Sequence, residues 1–377
     1  MVKKRLNKLK LKRVKKVREL IPDSVAEKAM ALNPLPSTDE PQVVDRVPRI
    51  TNETITEHRE EVLKGARKYI YPLQHSKHRI VTVTLSIAAI AVVAFLIYCT
   101  AALYKFHQYN TFIYRVTQVV PFPIAKADHN FVAYENYLFE LRRFVHYYQT
   151  QQRQSFDTSN KEQLERFKQQ ALTSVIDDAY VKLLAKENGV SVSNKEVETR
   201  VNEARNQNRL GNNNKVFADV LRDYWGWSIA DFKRTLKQEI LAEKVSAKLD
   251  KAASERANSA LAQVRSGADF GAVAKAMSDD PTKANGGDYG YAITKTNPNI
   301  PPEMADILFK LKPGEVSPIV LASPVLAGNP PTLQIAKVSQ NDGKSVTAQH
   351  IVINLKDPAV YVNELKTKNP PKSYVKF

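Results

Sequence analysis

From Ile80 to Tyr104 the chain reads IVTVTLSIAAIAVVAFLIYCTAALY, without one charged side chain. A helix rising about 1.5 Å per residue crosses a hydrocarbon core of roughly 30 Å with about 20 residues, so this run is long enough to span a bilayer. The competing reading is a buried helix of a soluble domain, but a core helix of this length normally keeps one polar face. Tyr98 and Tyr104 stand toward the C-terminal end, where amphipathic rings favour the membrane interface. The expectation is a single transmembrane helix at residues 80–104.

The flanks set its direction. Lys64, Arg67, Lys68, Lys77 and Arg79 crowd the N-terminal side, against Lys105 alone close by on the other. Excess positive charge marks the cytoplasmic side, which puts residues 1–79 inside and everything after Lys105 outside the cytoplasmic membrane. A cleaved signal peptide has a short charged n-region, whereas this one runs through residue 79, so the segment reads as a signal anchor. Lys and Arg number 56 against 39 Asp and Glu, a formal charge of +17 that favours acidic surroundings. The opening KKRLNKLKLKRVKKVR reads as a polybasic segment held on anionic lipid, with a nucleic-acid arm as the alternative. With an anchor on the same chain, lipid is the expected partner and nucleic acid is not. Residues 31–56 read as linker, and His58 to His78 as a short helix leading into the span. Residues 1–79 are thus expected to be a basic cytoplasmic segment, partly disordered.

Beyond the span, residues 113–136 are β-branched and Pro-punctuated and read as an extended entry segment. Apolar residues then recur at three- and four-residue spacing from Asn130 to about Gln151 and from Lys161 to Asn188, where Gly189 suits a helix stop. Ser193-Asn-Lys-Glu196 is a capping box, and Ser228-Ile-Ala-Asp231 opens another helix to about Leu249. Trp225 and Trp227 with Tyr224 read either as a client-binding patch or as core. With LLAKENGVSVSNKEVETRV as its signature, this region resembles the N-terminal helical domain of the SurA/trigger-factor type of chaperone. The resemblance implies a helical chaperone domain over residues 105–250.

A second series begins at Ala253: Gly267, Asp269-Phe270, Ser278-Asp279-Asp280, Gly286-Gly287-Asp288-Tyr289-Gly290, Phe309-Lys310-Leu311 and Pro313-Gly314-Glu315-Val316-Ser317. In that order it resembles the parvulin family of peptidyl-prolyl isomerases. The resemblance implies an α+β fold: a four-stranded antiparallel sheet flanked by helices, at residues 251–354, with 355–377 as a C-terminal tail. The family's first strand, bearing an H-[IL]-[LV]-[VIL] motif, is missing before Ser254, where ILAEKVSAKLDKAA reads as helix. The motif reappears as His350-Ile-Val-Ile353, joined to Leu333-Gln-Ile-Ala-Lys-Val338 through Asp342-Gly343, a strong hairpin turn signal. The domain therefore reads as circularly permuted, its first strand supplied from the C-terminal side. A truncated second repeat and a chance match are the competing readings.

The resemblance also carries the candidate site. His350 falls on the first-strand histidine and Asp280 beside the substrate carbonyl. Gln334 stands where relatives have a second histidine, and its amide can still donate and accept. Tyr289, Ile300 and Met304 fall on the positions lining the proline slot, with Phe309 close behind. These imply a membrane-anchored isomerase acting outside the cytoplasmic membrane on unfolded, newly exported chains containing X–Pro bonds. The alternative is a holdase whose isomerase-like module is catalytically weak or inactive. Neither cofactor nor metal is expected: Cys99 is the single cysteine, the seven histidines are scattered, and no HExxH or nucleophile-elbow sequence is present.

Overall fold

The computed structural model describes residues 51–70, 73–156, 160–207, 213–324 and 329–377. The basic stretch at 3–18 and most of the linker at 31–56 lie outside them. Contacts divide the chain into two units, Met1–Ile87 and Ala88–Phe377. In the first, helix α1 (Asn52–Ile70) begins where the sequence reads as linker; α2 (Leu73–Tyr104) starts in the first unit and ends in the second. Thr51 starts α1 through a reciprocal bond set with Thr54, a local signal that Pro-rich composition masks. Within α2, Arg79–Tyr104 is long and apolar enough to cross a membrane, by length and composition.

In the second unit α2 changes character. Val92 to Tyr98 are exposed, whereas Cys99 is buried, and Ala102 and Leu103 are buried in a core cluster with Ile113, Ile124 and Tyr134. Tyr104 donates its hydroxyl to Pro123 O (2.5 Å) and packs edge-on to Tyr134, so it belongs to this core rather than to an interface. Next comes α3 (Thr111–Val119), where an extended segment was expected. Asn110 accepts the Ile113 amide at 2.9 Å, and Ile113 and Thr117 bury one face; a cap and packing outweigh weak β-branched propensity. Strands β1 (Pro123–Ala127) and β2 (Asn130–Ala133) form a hairpin, so the expected helix from Asn130 starts later, as α4 (Tyr134–Thr150).

Helices α5 (Lys161–Glu187), α6 (Asn194–Gln207), α7 (Asn214–Trp225) and α8 (Ile229–Leu249) complete the run. The expected capping box of Ser193 with Glu196 forms, and Ser228, expected to open a helix, makes a second one with Asp231. Gly189 follows α5 with φ 65°, a left-handed stop. Trp227 stacks on Phe139 at 5.4 Å within a buried cluster, and Trp225 stacks on Tyr147, so these tryptophans are packing residues.

The remaining module is a sheet between helices. In chain order it runs α9 (Lys251–Arg265), α10 (Phe270–Met277), a 3-10 turn at Pro281–Asn285, β3 (Ile293–Thr294), α11 (Pro302–Leu308), β4 (Val320–Ala322), β5 (Thr332–Asn341) and β6 (Ser345–Asn354). The strand order is β3-β6-β5-β4, all antiparallel, which puts the two longest strands in the centre. Asp342 closes the β5–β6 hairpin by accepting the Lys344 and Ser345 amides, with Gly343 at φ 78°. Alternation then sorts the side chains. Leu333, Ile335, Ile351 and Ile353 pack on α9 and α10, while Ala336, Val338, Val346 and Ala348 pack with Met304, Ala305 and Leu308 of α11.

The chain enters this module at Asp250, leaves it at Leu355–Asp357, and returns to the helical part. Asp250 caps α9 through the Ala253 amide (3.1 Å) and also accepts the Lys356 amide (2.9 Å), tying both connections together. Residues 355–377, expected as a tail, form α12 (Pro358–Lys368) and β7 (Lys372–Ser373). Strand β7 pairs with β1, Lys366 pairs with Asp177, and Phe377 stacks on Tyr137 at 5.4 Å.

Candidate active site

Two glycine-loop hydrogen bonds bring the site together on β6. His350 donates its amide to Gly287 O (2.7 Å) and Tyr289 donates to Ala348 O, so the loop runs along the strand. Gly287 has φ 78°, and a Cβ there would lie 2.1 Å from the His350 carbonyl oxygen, so only glycine fits. From the other side Ser278 accepts the Val352 amide (3.0 Å), and Asp279 accepts the Asn354 amide while pairing with Arg256 at 2.7 Å. Asp269 caps α10 through the Ala272 amide and Phe270 is fully buried. The sequence motifs thus serve to dock the loops onto β6.

Between those loops sits a short polar chain. Thr282 donates its hydroxyl to Asp280 Oδ1 (2.6 Å), and its Oγ1 lies 2.7 Å from His350 Nε2. A hydroxyl has one proton, so with that proton on Asp280 the imidazole donates from Nε2. His350 Nδ1 is buried and has no partner among the described residues. Asp280 Oδ1 is 3.4 Å from His350 Nε2. The His350 imidazole beside it holds the Asp280 carboxyl well below the usual carboxylate range, against burial and with help from Thr282. Because His350 donates to Thr282, the threonine is no activated nucleophile. What the cluster offers is a fixed anion, an oriented imidazole and an apolar wall. Tyr289 supplies part of that wall, its ring centroid 3.9 Å from that of His350, and burial raises its phenol well above the ordinary tyrosine range.

The other expected residues lie nearby on the same sheet face or in its core. Gln334 pairs with Val352 across the β5–β6 ladder, diagonal to His350, which faces Ala336. Its amide donates to Thr332 Oγ1 (2.9 Å) and its Oε1 is unpaired; no hydrogen bond joins it to His350 among the described residues. Ile300 and Met304 are 1% and 0% exposed and pack in one cluster with Tyr289, with Phe309 at its margin. The slot-lining positions are thus filled by one another. Sequence reasoning missed Thr282, although an Asp followed two residues later by a hydroxyl is a local turn signal. No group of three or more His, Cys, Asp or Glu that could hold a metal ion occurs among the described residues.

The family model of a PPIC-type PPIASE domain matches residues 238–327, and that of a SurA-like N-terminal domain matches residues 73–246. Chaperone SurA of Burkholderia orbicola is 33% identical over 101 residues, which are 27% of this chain and 21% of that relative's length. The crystal structure of foldase protein PrsA from Streptococcus pneumoniae shares 18% identity, covering 52% of this chain and 76% of that one, at a TM-score of 0.17. The chain therefore carries a SurA-like N-terminal domain followed by a PPIC-type PPIase domain.

Proposed function

We propose that this chain is a membrane-anchored peptidyl-prolyl cis/trans isomerase and chaperone that acts on unfolded, exported polypeptides outside the cytoplasmic membrane. The observation that carries the reading is the Asp280–Thr282–His350 chain, assembled on a central strand beside a buried tyrosine. The PPIase match ends at residue 327, before the strand that holds His350. That supports a circularly permuted module whose first strand follows its last.

Rotation about an X–Pro bond faces a barrier of about 18–20 kcal/mol because twisting removes amide resonance. No bond to the protein is needed; the site must only favour the twisted amide over the planar one. Resonance places negative charge on the planar carbonyl oxygen, and a neighbouring Asp280 carboxylate opposes that charge. The twisted amide, with less oxygen charge, suffers less, while the apolar wall keeps out water that would solvate the planar form. His350 and Thr282 hold the carboxylate in its ionised state and in place.

The test is the rate of X–Pro isomerisation in peptides with the detergent-solubilised full chain. Asp280→Asn and His350→Ala should each slow it ten- to a thousand-fold, roughly 1.4–4 kcal/mol of lost stabilisation. Gln334→His should raise the rate if an imidazole there improves on the amide. The holdase reading has one observation in its favour, the filled slot around Met304. If neither wild type nor Gln334→His exceeds the uncatalysed rate while client aggregation is still suppressed, the holdase stands and the isomerase falls.

The anchor has its own test. Protease added outside spheroplasts should digest the chain beyond Lys105 and spare residues 1–79. Protection of the C-terminal part would reverse the orientation.

A further inference from the structure

We infer that α3 is an interfacial helix, lying in the lipid leaflet on the side of the helical module with Phe112 and Val119 inserted. The inference rests on reading α2 as a membrane span. From Ile80 to Tyr98 every residue is exposed, a length of about 28 Å at about 1.5 Å per residue, close to the roughly 30 Å of a hydrocarbon core. Immediately afterwards Cys99, Ala102 and Leu103 are at most 1% exposed, inside the protein core. The span leaves no linker: the helical module begins where the lipid ends.

Against that level, α3 starts on the lipid side. Phe112 meets Phe95 edge to face at 6.4 Å between centroids, and Phe95 lies about one turn of α2 below Tyr98. Ile113 and Thr117 face the core, so Phe112, Arg115 and Val119, at i, i+3 and i+7, share the outer face. Phe112 is 54% exposed and Val119 83%, and Phe106 between α2 and α3 is 63% exposed. Such apolar exposure is costly in water and favourable within about 5–10 Å of the headgroup boundary. From Ile80 to Ala127 there is no Asp or Glu, while Lys105, Arg115 and Lys126 are present, a charge pattern suited to anionic headgroups. The helix is also held rigidly. Arg142 donates to Tyr109 O (3.0 Å) and Thr111 Oγ1 (3.2 Å) and covers the Tyr114 ring at 5.1 Å. The depth of α3 is therefore set by the fold.

The full chain, reconstituted in nanodiscs of zwitterionic and anionic phospholipid, tests this with single spin labels in a Cys99→Ala background. Labels at Val92, Phe112, Val119 and the α7 surface residue Val216 are read by accessibility to oxygen against a water-soluble nickel chelate. The expected result is a lipid-type ratio, several-fold above that of Val216, at Val92, Phe112 and Val119 alike. Water-type ratios at Phe112 and Val119 with a lipid-type ratio at Val92 would overturn the inference and leave the anchor standing. A water-type ratio at Val92 would remove both. Should the Cys99→Ala background not fold, Phe112→Trp in the native chain gives the same reading. Its emission, over that of Trp225 and Trp227, should be quenched by bromine placed shallowly on the acyl chains, and absence of quenching defeats the proposal.

Discussion

Arg200→Met is expected to destabilise the unit Ala88–Phe377 by about 3–5 kcal/mol, the usual cost of leaving buried carboxylates without their cation. Arg200 on α6 holds three of them: Glu203 at 3.3 Å, Glu243 on α8 at 3.2 Å and Glu303 on α11 at 2.5 Å. Ser323, after β4, bridges the last two at 3.1 and 2.7 Å. One guanidinium among three carboxyls leaves negative charge in excess. The Glu203 carboxyl answers by being pushed up to about 7, by burial first and by Glu303 next. Because that folded value lies above the unfolded one, the stability it contributes is complete below about 4.5 and is lost as pH rises through about 7. Glu239, raised to about 7 by burial and Glu243, acts in the same direction. Denaturant midpoints should therefore fall from pH 6 to pH 8, and Glu203→Gln should flatten the slope. As a control, Lys233→Met at the exposed pair with Glu198 should cost at most about 1 kcal/mol. An Arg200→Met chain no less stable than that control would show that the clamp is decorative.

Gly287→Ala should be nearly as damaging, and Gly290→Ala separates its causes. Both glycines have positive φ, 78° and 74°, so each alanine carries the strain of that backbone, about 1–2 kcal/mol. Only at Gly287 does the new methyl meet an obstacle, the His350 carbonyl oxygen; around Gly290 nothing lies within 4 Å. Relieving the clash means pulling the loop off β6 and breaking the hydrogen bond that the His350 amide donates to Gly287 O, for a total of about 4 kcal/mol or more. Equal midpoints for the two variants in urea would contradict the packing described here.

What could be read from the sequence was whatever local chemistry decides. The uncharged run, the capping box at Ser193, the helix start at Ser228 and the Asp342-Gly343 turn each specify structure within a few residues, and the structure has all of them. The ordered motifs also pointed to Asp280, Tyr289 and His350, which the fold brings together. Features depending on distant partners were illegible. Nothing near Arg200 announces Glu303, and nothing in residues 355–377 says that β7 will pair with β1. Helix α3 was missed because its composition favours extension and only burial of Ile113 and Thr117 decides otherwise. Gln334 was read into a polar network on the family resemblance alone; it lies on the face of His350, but Thr332 took the hydrogen bond.

The return of the chain at Asp250 and Lys356 has a consequence for biogenesis. Synthesis delivers α3 through α8 first, yet β1 lacks β7, and α5 and α8 lack α12, until the whole isomerase module has been made. Domains generally fold as units in the order they emerge; here the earlier one must wait, with apolar surface open, for a later one to finish. During that interval the nascent protein presents the kind of unfinished chain that its own helical module is proposed to hold.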